Sequence, residues 1–173
     1  MIELILGGVR SGKSQHAQQR ARAGGLAVTV VATATAADAE MHERIAAHRR
    51  DRPHDWRTVE TPFALAASLR EHARTERCMV VDCLTLWLTN LLCADDAQLF
   101  LSERRALIEV LPTLPGHIVL VSNETSLGIV PSGALTRRYC DEAGRLHQEL
   151  AQICDRVMLV IAGLPQLLKG TPP

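Results

Sequence analysis

Gly7-Gly8-Val9-Arg10-Ser11-Gly12-Lys13-Ser14 decides the fold. It is a complete Gly-x-x-x-x-Gly-Lys-Ser loop near the start of a 173-residue chain. Ahead of it, Ile2-Glu3-Leu4-Ile5-Leu6 is a short β-rich run. Behind it, Gln15 to Ala23 holds no proline or glycine and is rich in Ala, Gln and Arg, which predicts a helix. The loop therefore sits between strand and helix, where its mechanics require it. Its glycines let backbone N–H groups turn inward toward phosphate oxygens, and the helix N-terminus adds partial positive charge. In this pattern Lys13 reaches the β- and γ-phosphates of a nucleoside triphosphate, and the Ser14 hydroxyl ligates Mg²⁺. The plainer alternative, a glycine-rich turn that binds nothing, does not explain the flanking elements.

Outward from the loop, strand and helix patterns alternate. Ala27 to Ala32 is a run of β-branched residues, and Ala37 to about Arg50 is helical in period. Thr61 and Pro62 read as N-cap and first residue of a helix running to about Ala73. Cys78 to Asp82 is a buried strand; Leu84 to Cys93 and Asp96 to Leu111 read as helices. Ile118 to Val121 is a strand, Leu135 to Ile153 a long helix, and Arg156 to Ile161 the last expected strand. The tail from Leu164 reads as partly disordered. Continuous apolar strands indicate a mostly parallel sheet covered by helices on both faces, hence an α/β domain spanning 1–173.

Composition narrows the function. Hydrophobic residues make up 47% of the chain, ample for a core, while aromatics make up 3%, too few for a single-strand stacking surface. Lys plus Arg and Asp plus Glu each total 19, which removes the electrostatic case for a nucleic-acid partner. No charged leader precedes an apolar run, and no apolar segment reaches the roughly 18 residues of a membrane span. A cytoplasmic protein is expected. The cysteines (78, 83, 93, 140 and 154) form no Cys-x-x-Cys pair and read as reduced, mostly buried thiols.

Asp82 closes the apolar strand Cys78-Met79-Val80-Val81. An acid there would lie beside the phosphate loop at the carboxyl edge of the sheet and hold Mg²⁺, directly or through water. Capping the helix that starts at Leu84 is the alternative. The GTPase motif Asn-Lys-x-Asp is absent, and Asp141-Glu142-Ala143-Gly144 lies inside a helical stretch. A small-molecule kinase or nucleotidyltransferase fits better than a switch or a motor.

The segment Glu40 to Pro53 carries His48. Met41, Ile45 and His48 follow i, i+4, i+7, so His48 continues an inward stripe. Arg44 stands one turn before it, and Arg52 one turn after it if the helix persists that far. Two cations would depress the imidazole pKa and keep it neutral, as a nucleophile must be. The same arginines could hold a triphosphate. A satisfied, partly buried histidine near a helix end is the competing reading.

The phosphate loop is similar to that of the bifunctional adenosylcobinamide kinase/adenosylcobinamide-phosphate guanylyltransferases of cobalamin biosynthesis. Further matches follow in order: Ala32-Thr33-Ala34; Glu40-Met41-x-x-Arg44-Ile45-x-x-His48; Arg52-Pro53, Trp56, Thr58 and Glu60; Asp82-Cys83-Leu84-Thr85; Thr89-Asn90-Leu91-Leu92; Asn123-Glu124 with Gly128-Ile129-Val130-Pro131. They span nearly the whole chain.

The resemblance implies a RecA-like phosphate-loop domain and a homo-oligomer, with trimers known in the family. It implies phosphorylation of the aminopropanol hydroxyl of adenosylcobinamide by ATP or GTP. It then implies transfer of GMP from GTP to that phosphate through a guanylylated histidine, which matches His48. By the same resemblance, Lys13 joins His48 in catalysis. Nucleotide contacts fall on Gly7, Gly8, Val9, Arg10, Ser11, Gly12, Lys13 and Ser14, then Ala32, Thr33, Ala34, Arg49, Arg50, Asp51, Arg52, Glu60 and Asp82. From the residues alone, Glu60 reads as a solvated strand-end acid and Arg49 and Arg50 as a solvated helix face. Four positions depart from the family pattern: Thr125-Ser126 stand where Val-Gly usually follows Asn-Glu, and Cys140 and His147 where an arginine and an asparagine are common.

Overall fold

The computed structural model describes residues 1–35, 39–50 and 52–172, apart from the side chains of Glu40, Met41, Arg44 and His48. In chain order the elements are β1 (Ile2–Gly7), α1 (Lys13–Ala23), β2 (Ala27–Ala32), α2 (Ala39–Arg50), β3 (Arg57–Glu60) and α3 (Leu65–His72). Then come β4 (Arg77–Asp82), α4 (Leu84–Cys93), α5 (Ala97–Val110), β5 (His117–Asn123), α6 (Ala134–Ile153), β6 (Arg156–Ile161) and β7 (Leu164–Lys169). The strands make one sheet in the order β3-β2-β4-β5-β1-β6-β7. The first six run parallel, and β7 returns antiparallel to β6.

The apolar runs explain the layering. β1 is buried along its whole length, between β5 and β6. Its Leu4 and Leu6 face a core built with Leu65 and Leu69 of α3, Trp87 of α4, Leu107 of α5 and Leu146 of α6. Its Ile5 faces the other way, toward Ala17 and Ala21 of α1 and the valines of β2, β4 and β5. Ala17 and Ala21, one turn apart, give α1 a small-residue stripe on the side that meets the sheet.

Two expectations are corrected, and one short strand is added. Leu164–Lys169 is not a disordered tail: it is the edge strand β7, paired from Ile161↔Leu164 to Val157↔Lys169. Arg57–Glu60 adds a second, four-residue edge strand. The third helix starts at Leu65, not Pro62, and Thr61 is not its cap. The Thr61 N–H instead donates to the Ala32 carbonyl at 2.9 Å. Side chains of α4 occupy the next two carbonyls: Asn90 Nδ2 donates to Pro62 O at 3.0 Å and Trp87 Nε1 to Phe63 O at 2.7 Å. Those bonds hold the segment as a turn.

One polar cluster lies within the α1-side layer. Glu3 is fully buried. Arg20 donates to it through Nε (3.0 Å) and Nη2 (2.7 Å), and Arg156 through Nη1 (2.6 Å). His117 Nε2 stands 3.4 Å away without a formed hydrogen bond. The register Glu3↔Arg156 brings β6 into this cluster directly. Burial alone would raise the Glu3 pKa; the adjacent His117 and Arg20 outweigh it and hold the pKa at about 2.

All five cysteines are free, but only Cys78 and Cys154 are buried; Cys93 is exposed. No helix among the described residues is long and apolar enough to cross a membrane.

Candidate functional site

The phosphate loop joins β1 to α1 as its spacing requires. Gly12 adopts φ +93° at the N-terminus of α1. A Cβ there would come within 3.0 Å of the Gly163 backbone, so Gly12 is needed both for the left-handed turn and for the close approach. Arg10 also has positive φ, at 59°. The turn between β6 and β7 supports the loop, since the Gly163 N–H donates to Ser11 O at 2.8 Å. Lys13 Nζ donates to Gly8 O at 3.1 Å, folded back over the loop it serves. Burial lowers the Lys13 pKa, while Cys83 and Asp82 pull it back up.

Asp82 ends β4, two strands from β1. Ser14, Asp82, Arg52, Trp56 and Gln18 line one narrow cleft. Arg52 Nη2 donates to Asp82 Oδ2 at 3.1 Å, and both side chains are largely buried. Arg52 therefore does not continue helix α2, which ends at Arg50. It turns across to the sheet edge, and its Nη1 has no partner among the described residues. A buried guanidinium nitrogen with nothing to donate to, beside a phosphate loop, suits an anionic ligand.

A second, wider cleft of about 490 Å³ adjoins this one, lined by Arg49, Arg52, Pro53, His54, Trp56, Thr58 and Glu60. Its size is that of a small-molecule site. Arg49 of α2 pairs with Glu60 at the end of β3. Glu60 is thus solvated, as its residue type suggested, yet it has a specific cationic partner. Arg50 is exposed. Thr33 is fully buried: its hydroxyl donates to Cys83 O at 2.6 Å and accepts from Cys83 N–H at 3.1 Å. It braces the end of β2 against the end of β4. Ala32 and Ala34 flank it, half-buried.

The fold thus gathers residues 7–14, Arg52 and Asp82, with Arg49 and Glu60 at the adjoining cleft. Position 48 lies in the last turn of α2; the His48 side chain, and Asp51, lie outside the described residues, as do the Met41 and Arg44 side chains of the inward stripe. Sequence reasoning did not place Trp56 in the site. It lines both clefts and carries the Arg22 guanidinium 5.8 Å above its ring. One of two tryptophans in so aromatic-poor a chain was the available signal.

The sequence model of the cobinamide kinase / cobinamide phosphate guanyltransferase family matches residues 3–168. The chain belongs to this family. It is 60% identical over 172 residues to a bifunctional adenosylcobalamin biosynthesis protein, CobP, of Pseudomonas aeruginosa, covering 99% of each chain. It is 36% identical over 183 residues to a bifunctional adenosylcobalamin biosynthesis protein, CobU, of Escherichia coli K12, covering 98% of this chain and 100% of the relative. Among solved structures, the RadB recombinase superposes with TM-score 0.53 at 15% identity, over 91% of this chain and 73% of that one. A Pyrococcus horikoshii OT3 protein superposes with TM-score 0.53 at 8% identity, over 99% and 87%. These two likenesses show the RecA-like α/β fold alone.

Proposed function

We propose that this member of the cobinamide kinase / cobinamide phosphate guanyltransferase family is a bifunctional enzyme of cobalamin biosynthesis. The observation that carries the reading is the convergence of the phosphate loop, Asp82 and the half-paired Arg52 on one cleft. In the kinase step the aminopropanol hydroxyl of adenosylcobinamide attacks the γ-phosphate of ATP or GTP, and the nucleoside diphosphate leaves. Lys13 leaves Gly8 O to bind the β- and γ-phosphates, and the backbone N–H groups of residues 7–14 cradle them.

In the transferase step a neutral His48 nitrogen attacks the α-phosphorus of GTP. The bond to the bridging oxygen breaks, and pyrophosphate departs. A phosphate oxygen of adenosylcobinamide phosphate then displaces the imidazole, giving adenosylcobinamide-GDP. Splitting the transfer into two displacements on a covalent intermediate lowers each barrier. Arg52 and Arg49 receive the polyphosphate, with Arg52 exchanging Asp82 for it; the Arg52–Asp82 pair and the cleft that both arginines line support this reading. Gly7 to Ser14, the Ala32-Thr33-Ala34 segment, Arg49 to Arg52, Glu60 and Asp82 form the nucleotide site, with Thr33 acting as a brace.

Mg²⁺ fits the donor set: Ser14 offers a hydroxyl and Asp82 a carboxylate in the same cleft, hard oxygen ligands that substrate phosphates complete. Bound there, it supplies charge neutralisation for the departing oxygens. A cytoplasmic homotrimer is the assembly this reading carries.

The test is incubation with Mg²⁺ and GTP labelled at the α-phosphate. An acid-labile, alkali-stable protein adduct is expected, absent with γ-label and absent in His48→Ala. No adduct from the wild-type protein refutes the transferase step.

A further inference from the structure

We infer that Glu124 is the proton acceptor of the kinase reaction, a role that rests on the kinase reading above. The strand order puts β5 between β1, which carries the phosphate loop, and β4, which carries Asp82. Asn123 pairs with Gly7, whereas Asp82 pairs with Val121, so β5 runs on past the level of Asp82. The Glu124 N–H then donates to Gly7 O at 3.1 Å. Glu124 is therefore the first residue beyond the sheet edge, beside the opening glycine of the phosphate loop. Ligands of open parallel sheets sit in that crevice, off the carboxyl ends of the strands.

The backbone there is held firmly. The Asn123 N–H donates to Thr85 Oγ1 at 2.8 Å, and the Ser122 hydroxyl meets His147 Nε2 at 2.8 Å in a buried contact. The carboxylate is aimed by its own loop: the Ser126 N–H and hydroxyl both donate to Glu124 Oε1. Among the described residues no donor reaches Oε2. Three carboxylates mark this edge of the sheet. Glu60 is paired with Arg49 and Asp82 with Arg52, while Glu124 has no cationic partner among the described residues. A protonated lysine or arginine has no lone pair to take a proton, and Asp82 is assigned to the metal in the reading above.

A positioned carboxylate can take the proton of the attacking hydroxyl, as the catalytic-loop aspartate of protein kinases does. As the acceptor oxygen forms its bond to the γ-phosphorus, its proton passes to Glu124 Oε2. The bond from the γ-phosphorus to the β–γ bridging oxygen breaks, and the nucleoside diphosphate carries the electron pair away. Ser126, which departs from the family's glycine, becomes a positioning residue, its hydroxyl fixing which oxygen stays free. The guanylyl transfer is not assigned to Glu124, because its nucleophile is a neutral His48 and its acceptor a phosphate oxygen, so no hydroxyl proton has to be removed.

The experiment compares the wild type and Glu124→Gln in two assays. One is phosphorylation of adenosylcobinamide; the other is guanylyl transfer to acceptor phosphorylated beforehand. The expected result is a fall of about 10²–10⁴ in kcat for phosphorylation, with KM values and the transfer rate within about threefold. Ser126→Ala is expected to lower the phosphorylation kcat by about three- to tenfold and leave transfer in place. A loss of under about tenfold in Glu124→Gln phosphorylation, or an equal loss in both assays, overturns the assignment. A wild-type protein that phosphorylates nothing overturns the kinase reading and this role with it. A wild type that phosphorylates normally beside an equally active Glu124→Gln overturns this role alone.

Discussion

Replacing Glu3 with glutamine preserves the side chain's shape and deletes its charge. The structure sets the cost. Arg20 and Arg156 donate to a carboxylate that solvent does not reach, and His117 adjoins it. The Glu3 pKa drops from 4.5 to about 2. At about 1.4 kcal/mol per unit, that drop corresponds to roughly 3 kcal/mol of folding free energy at neutral pH. Breaking a buried ion pair by removing one partner costs about 3–5 kcal/mol, which agrees. For a chain of this size the change is a fall in Tm of roughly 6–12 °C. The pH dependence has a definite sign. A carboxyl whose pKa is lower folded than unfolded stabilises fully above its unfolded value, and that contribution disappears as pH falls from 4.5 toward about 2. Thermal unfolding followed by circular dichroism should therefore show the gap between wild type and Glu3→Gln closing across that window. A gap below about 1 kcal/mol at neutral pH, or one that stays constant as pH falls through the window, refutes the reasoning.

Three other perturbations test the same structure elsewhere. Gly116→Ala should lose about 2–4 kcal/mol of stability, seen as a lower midpoint in denaturant unfolding, because Gly116 sits at φ +82° and a Cβ would strike the Arg74 and Arg77 carbonyl oxygens. Under a slow thiol reagent at mildly alkaline pH, mass spectrometry should find Cys93 labelled first and Cys78 and Cys154 last, since burial pushes both of the latter up to about 12; early labelling of Cys78 would contradict the packing of α1 on β4. Lys13→Met should abolish kinase and transferase rates together while leaving the Tm within about 3 °C, as Nζ makes one exposed bond to Gly8 O in the free protein.

The legible parts of this fold were those encoded over neighbouring residues. The phosphate loop, the β-branched run Ala27–Ala32 and the helix that Asp96 caps through Gln98 and Leu99 N–H all declare themselves within a dozen residues. β7 did not. Leu-Pro-Gln-Leu-Leu-Lys has no strand periodicity and carries a proline that only an edge strand tolerates; it is a strand because β6 offers it a partner. β3 is four residues of mixed polarity for the same reason. The start of α3 was misplaced because Trp87 and Asn90, more than twenty residues on, claim the carbonyls of Phe63 and Pro62. At the site, Lys13, Ser14 and Asp82 were readable from motif and strand end. The partner of Arg52 was not legible: helical spacing would set it one turn past His48 only if the helix persisted, whereas α2 ends at Arg50 and the chain carries Arg52 to Asp82. Nothing local marked Glu3, whose partners lie at positions 20, 117 and 156.

The place of β1 has a consequence for how the protein is made. Residues 2–14 leave the ribosome among the first of this sequence, yet β1 pairs only with β5 and β6, and the loop leans on Gly163. At about 5–20 residues per second, roughly 8–30 seconds of synthesis separate the phosphate loop from its last neighbour. Until β5 is made this fully buried strand has no partner, and until the turn at Gly163 is made the loop lacks the contact to Ser11 O that supports it. Binding competence therefore arrives late and all together, when the distant half of the chain closes around the beginning.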